Sequence, residues 1–594
     1  WSAGIFLLGA VAGLIALQTP LRAEKGSSGL NAEPTHATRS RIQAWFVART
    51  PWQRRGIAAA AGALATLGHA PFQLTPLFVV AIVLLVWLLD VSATKERKLR
   101  SAFSIGWFFG LSGGQLMFLA LASLPAFWAI SRGAWFSALL FAIVWLFVLA
   151  ITTISVRGRS ATGWMVASTM YAVGGLLGWT SFRAKASQGR SEDLDTPDLP
   201  GVLQGIAIHD GPPHGSQLQR VAIICDHATH TWAVTAAIVH PGIAMVGIEE
   251  RTRYGEGLAG LIDIAGRTEK VTEILFMVRT VPEDGAEREL WVNKHRRAGA
   301  PELSELVNSD LAHGLTQASV RTEMFVTIVV PETRITRSAK ESGGGLEGRC
   351  REIYLLMAEI EAQLRGPMGM TSVRWLTSPE LALASRTGFA PGDRAGIVEA
   401  LAMRDKDPSV NAEVPWAMAG PSGADATVRH YSHDAWNSIS ATIKLPSRGA
   451  VMGALAPILT PSEPGERRSF LVAYPVVSAS KADRASGNAE WAADLAEGMN
   501  QKLGRKTRAK QREEAYKARG MDAKLARGNA LTRPYAVCTV TVPKTLRITE
   551  FGRRLDAAVR RAGFAPLRLD LAQDTGFAAS TIPLGTSLTR SADA

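Results

Sequence analysis

The chain has 594 residues, with 65 Lys and Arg against 52 Asp and Glu and a formal net charge of +13. That length exceeds one ordinary domain, and the basic balance suits anionic lipid or nucleic acid without choosing between them. Cys225, Cys350 and Cys538 are far apart and show no CxxC or Cys/His ligand spacing, which argues against a disulfide framework or a zinc site.

Residues 1–100 carry apolar runs at about 1–17, 57–70 and 74–89, which read as additional transmembrane segments. Trp1 already lies inside the first run, so this first segment is expected to be truncated. Phe103–Leu124 and Ala134–Ile154 are long, apolar and free of internal charge, and "PAFWAISRG" separates them. They read as a transmembrane hairpin within a 101–190 membrane region. Basic residues flank it on both sides: Lys95, Arg97, Lys98 and Arg100 before, Arg157, Arg159, Arg183 and Lys185 after. The positive-inside rule then predicts a multi-pass cell-membrane protein whose residues after about 155 are cytoplasmic. Gly163–Trp179, bracketed by Trp164 and Trp179, reads as a helix lying in the membrane interface.

Residues 191–213 read as a linker. From 214 to 480 β-rich runs alternate with helical ones, which predicts a cytosolic α+β domain. Strands are expected over Arg220–Cys225, Thr231–Val239, Val271–Val281, Val320–Val330, Met370–Leu376, Ser438–Leu445 and Ser469–Val477. Helices are expected over Glu249–Ala265, Gly285–Arg297, Glu302–His313, Gly348–Arg365, Pro379–Thr387 and near Ala450–Leu459. In the helix from Gly348, Ile353, Leu356, Met357, Ile360 and Leu364 share one face. Ala390–Val428 reads as a loose stretch.

Residues 481–533 are basic and poor in large apolar side chains, and read as an exposed helical hairpin. Residues 534–594 return to α+β: Tyr535–Val542 as a half-buried strand, Thr549–Ala562 as a helix, Ala565–Leu571 as a strand, then a tail. The predicted fold class is therefore an α-helical membrane region followed by a cytosolic α+β region, with ferredoxin-like strand/helix sandwiches and a long basic helical hairpin.

Three motifs could carry chemistry. "ESGGGLEGRC", Glu341–Cys350, has the glycine spacing of a phosphate-binding loop, with Arg349 in the Lys position and Cys350 in the Ser/Thr position. Cys is a poor Mg²⁺ ligand, Arg lacks the compact ammonium, and the expected strand ends about a dozen residues early at Val330. "CDHATH" offers Cys225, His227 and His230, which strand alternation would separate. "VRHYSHD" offers His430, His433 and Asp434 with no nucleophile in the motif. No catalytic residue, cofactor or metal site is expected. The surface expected to make contacts is Arg505, Lys506, Arg508, Lys510 and Arg512, against acidic lipid, an acidic protein face or, nonspecifically, nucleic acid.

The order of several weak motifs is suggestive. "FFGLSGGQLMFLALA", "RGRSATGWM", "LPGVLQGIAI", "RTVPEDG", "SPELALASRTGFAP", "RGNALTRPYAVCTVTV" and "FAASTIPLGTSL" together resemble an actinobacterial family of integral membrane proteins from conjugative, type IV secretion-like transfer modules, over roughly residues 101–590. The resemblance implies a PrgI-like membrane hairpin and a region similar to the N-terminal domain of VirB-type secretion ATPases, without the ATPase. It implies a non-catalytic assembly subunit that docks a separate VirB-type ATPase and other channel subunits at the cytoplasmic membrane, as an oligomer or not. The alternatives are a membrane-anchored nucleic-acid-binding protein and a degenerate phosphate-loop NTPase.

Overall fold

The computed structural model describes residues 113–589, apart from 154, 157–158, 191–192, 216–217, 244–245, 283–284, 298, 319, 445–452, 462, 464 and 488–508. The chain divides into two units, Trp1–Thr153 and Ile154–Ala594. In the first unit, α1 (Gly113–Ser131) and α2 (Trp135–Thr153) are antiparallel neighbours. Gly133 turns the chain between them with φ 68°, and the Trp145 indole N–H donates to the Leu119 carbonyl at 3.0 Å.

This pair corrects the transmembrane expectation. Among the described residues no helix is long and apolar enough to cross a membrane. Each helix has 19 residues. α1 carries Gly113, Gly114, Ser123 and Pro125. The α-helical membrane region, the multi-pass topology and the cell-membrane placement built on it are not supported. The runs at 1–17, 57–70 and 74–89 lie outside the described residues.

In the second unit, β1 (Ser155–Val156) and β2 (Arg159–Ser160) form a small ladder before α3 (Ala161–Leu176) and β3 (Ser181–Arg183). α3 covers the segment expected to lie in a membrane interface. After it the chain turns at Gly178 (φ 76°) and enters the edge of a sheet, and the Tyr171 hydroxyl bonds the Ala426 carbonyl at 3.1 Å. Then come β4 (Ile206–His214), β5 (Gln219–Asp226), β6 (Thr231–Val239), α4 (Ile248–Thr268), β7 (Glu273–Pro282), α5 (Ala286–His295), α6 (Glu302–Ala318) and β8 (Val320–Pro331). Next are α7 (Glu332–Glu341), α8 (Gly345–Arg365), β9 (Ser372–Trp375), α9 (Ser378–Phe389), α10 (Arg394–Arg404), α11 (Trp416–Ala419), β10 (Gly423–Ala426), β11 (Tyr431–His433) and β12 (Trp436–Lys444). The last elements are α12 (Ala456–Leu459), β13 (Arg467–Val477), α13 (Ala509–Ala526), β14 (Leu531–Thr532), β15 (Tyr535–Pro543), α14 (Ile548–Arg561), β16 (Ala565–Arg568) and α15 (Gln573–Thr581).

Fourteen of these strands form one sheet, in the order β3-β10-β11-β12-β15-β13-β7-β8-β6-β5-β4, with β14, β16 and β9 attached to β13, β12 and β6. Every pairing is antiparallel. This corrects the separate ferredoxin-like sandwiches. β13 pairs with β15 on one side and β7 on the other, so the strands expected in sandwiches share one continuous ladder. The expected linker is shorter than 191–213, because Ile206–His214 is the edge strand β4.

Alternation explains the layers. In β15, Cys538, Val540 and Val542 pack with Phe551, Leu555 and Val559 of α14. Val537 faces the opposite way, toward Phe577 of α15. β15 is thus buried on both faces, not half-buried. On the β6–β8 side, α8 supplies Ile353, Leu356, Met357, Ile360 and Leu364 to a core with Ile274, Val326 and Ile328.

Candidate functional site

Four places could carry function. The first is the glycine loop. α7 follows β8 directly and buries Ile335 and Ala339. It ends at Ser342, and Gly343, Gly344 and Gly345 all have positive φ, where only glycine is unstrained. The segment therefore joins helix to helix, not strand to helix. Its residues are committed to packing. A Cβ on Gly348 would lie 2.2 Å from the Ala339 carbonyl oxygen. Arg349 Nη2 pairs with Glu332 Oε1 at 2.6 Å, and its guanidinium lies over Trp232. Cys350 is buried, and burial pushes its thiol up to about 11. Glu352 ties the loop down, accepting from Ser342 Oγ at 2.8 Å and Lys270 Nζ at 2.6 Å. A phosphate cradle needs open backbone N–H groups after a strand; this loop is a close helix-helix turn.

The second is His433, which the sequence left without a nucleophile. The β11–β12 hairpin sets His433 opposite Trp436 and brings Ser438 within reach. His433 Nδ1 lies 2.8 Å from the Phe389 carbonyl at the end of α9, so Nδ1 carries the proton and Nε2 accepts. The Ser438 hydroxyl donates to Nε2 at 2.8 Å, and Ser438 Oγ is 2.7 Å from Thr541 Oγ1. The layout resembles a Ser-His pair with a carbonyl as third member. His433 and Ser438 are both 0% exposed, however. Phe389, Tyr431 and Phe577 enclose the imidazole, and burial drives its pKa down to about 3. Asp434 points elsewhere and accepts from the Ser422 N–H at 2.7 Å and Arg386 Nη1 at 3.3 Å. The pair is a neutral hydrogen-bonded fastener between strands, closed to substrate by its burial. Strand pairing, not motif spacing, creates it. His430 instead bonds Thr427. His227 lies 3.8 Å from Cys225 Sγ, and His230 occupies the turn residue with φ 52°. Among the described residues no His/Cys/Asp/Glu group is arranged to hold a metal.

The third is a cleft of about 600 Å³ lined by Pro457, Arg468, Arg554 and Arg561. Glu466 pairs with Arg468 at 2.6 Å, and Glu463 and Glu550 pair with Arg554. These carboxylates largely neutralise it.

The fourth is the excursion between β7 and β8, two strands paired over ten residues from Glu273↔Val329 to Pro282↔Val320. α5 leans on α10, with Arg394 bonded to Glu287 at 2.5 Å. α6 behaves differently: every residue from Pro301 to Leu311 is exposed. Leu303, Leu306, Val307 and Leu311 are among them, the first at 73%. Their spacing of three, four and eight makes one stripe on a helix. The helix itself is legible in the sequence; that its apolar face is exposed among the described residues is not.

The basic segment is partly visible. Residues 479–487 are helical, and Ser486 Oγ donates to Asp522 Oδ1 of α13 at 3.2 Å. Arg505, Lys506 and Arg508 lie outside the described residues. Lys510 and Arg512 lie in α13.

No family model matches the chain. A stretch of 72 residues is 39% identical to the apolipoprotein N-acyltransferase of Rhodopseudomonas palustris (strain ATCC BAA-98 / CGA009), covering 12% of this chain and 13% of that protein. The likeness is local and spans far less than two thirds of that relative's length.

Proposed function

We propose that this protein is a non-catalytic assembly subunit of a conjugative, type IV secretion-like DNA-transfer apparatus, and that it docks a separate VirB-type ATPase. The observation that carries the reading is the uncovered leucine stripe of α6, held out from two firmly paired central strands. Contiguous exposed apolar surface is a mark of interaction sites. The order of sequence motifs over roughly residues 101–590 supports the choice of apparatus. The glycine loop adds to it, since Gly348, Arg349 and Cys350 serve helix packing. The basic segment Arg505–Arg512 is a second contact, toward an acidic face of the same partner.

The test is affinity purification of the tagged chain from its native host, with mass spectrometry of the co-purifying proteins. Specific recovery of the transfer ATPase is expected. Recovery of no transfer component under gentle extraction contradicts the reading.

A further inference from the structure

α6 has 17 residues and carries Glu302, Glu305 and Asp310 with no Lys or Arg. Glu305 is engaged by Arg296 at 2.8 Å. Glu302 lies four residues before Leu306, and Asp310 lies four after Leu306 and three after Val307. Both carboxylates therefore share the leucine face. Most helices in proteins owe their stability to a packed apolar face rather than to propensity. Among the described residues that face is exposed over Pro301–Leu311.

We infer that α6 is one half of a helix-helix interface whose other half is an amphipathic helix of a partner protein, with a leucine-type stripe bordered by Lys or Arg. This rests on the docking reading above and names the chemistry of the docked segment. Shape asks for a helix, because residues at three- and four-residue spacing interdigitate with a like partner. Charge asks for a basic one. An acidic partner would face Glu302 and Asp310 across an interface where like charges disfavour pairing. The basic partner gains charges paired with Glu302 and Asp310 and discriminates against acidic helices.

The test uses the full chain and two labelled peptides with the same leucine stripe, one flanked by Lys and Arg, its twin by Glu. Fluorescence anisotropy should show the basic peptide binding about tenfold tighter or more. Leu306→Ser with Val307→Ser should abolish binding while thermal unfolding stays unchanged, because both side chains are exposed. Glu302→Lys with Asp310→Lys should reverse the preference. Equal binding of the two peptides overturns the inference. So does concentration-dependent self-association, by sedimentation, that Leu306→Ser with Val307→Ser removes, since a second copy would then be the occupant. If neither peptide binds but the same double variant still loses the ATPase in native purification, the inference fails and the docking function stands.

Discussion

His433 Nε2 lies 2.8 Å from the Ser438 hydroxyl, with both groups buried and the imidazole neutral. Burial holds the folded pKa at about 3, while the unfolded chain titrates near 6.5. Between those values the unfolded state binds the extra proton. Stability is therefore full above about pH 6.5 and falls as pH drops, by about 1.4 kcal/mol per unit. Denaturant melts from pH 7 to pH 4 should show this slope, and His433→Gln should be less stable at pH 7 but flatter toward acid. An unchanged slope in the variant would mean that the imidazole is not held neutral.

Gly348 tests the reading of the glycine loop. Alanine normally improves a helix by about 1 kcal/mol over glycine. Here its Cβ would sit 2.2 Å from the Ala339 carbonyl oxygen, so Gly348→Ala should instead cost about 2 kcal/mol. Differential scanning fluorimetry should show the loss, and Mg-ATP should shift the midpoint of neither form. An ATP-dependent shift that Arg349→Ala removes would restore the nucleotide reading.

Much of the local structure was legible in the sequence. The run Thr231–Val239 and the helix bearing Ile353 and Leu364 appear as expected because their periodicities are strong. The sheet was not legible. Antiparallel pairing of β13 with both β15 and β7 joins segments far apart in the chain, and no local pattern encodes that partnership. The His433–Ser438 pair was missed for the same reason: a hairpin register creates it. The membrane reading is not supported because, among the described residues, no helix is long and apolar enough to cross a membrane, and α1 carries Gly113, Gly114 and Pro125.

Glu273 opens β7 with a buried carboxyl whose Oε1 has no hydrogen-bond partner among the described residues. Burial raises its pKa, against weaker hydrogen bonds from Ser587 and Tyr535. The protonated form is favoured in the fold, so Glu273 costs stability as pH rises above the ordinary carboxyl range of about 4.3. Glu273→Gln should stabilise by about 1 kcal/mol at pH 7.5, with the gain vanishing near pH 4. A variant equally destabilised at both pH values would contradict the assignment.

For the basic segment, replacing Arg505, Lys506, Arg508, Lys510 and Arg512 by Gln should leave the unfolding midpoint in place and weaken ATPase capture at low salt. Gel shifts with duplex DNA across a salt series provide the contrast, because phosphate binding falls steeply with salt. Loss of a salt-sensitive DNA shift with ATPase capture intact would assign the segment to nucleic acid.

The most direct test measures the affinity of the purified chain for the transfer ATPase, by biolayer interferometry, with and without Leu306→Ser and Val307→Ser. Burying two such side chains is worth about 1.5–3 kcal/mol each, so the pair should weaken binding by about 100-fold or more at an unchanged unfolding midpoint. Equal affinity of the two forms would contradict docking through α6.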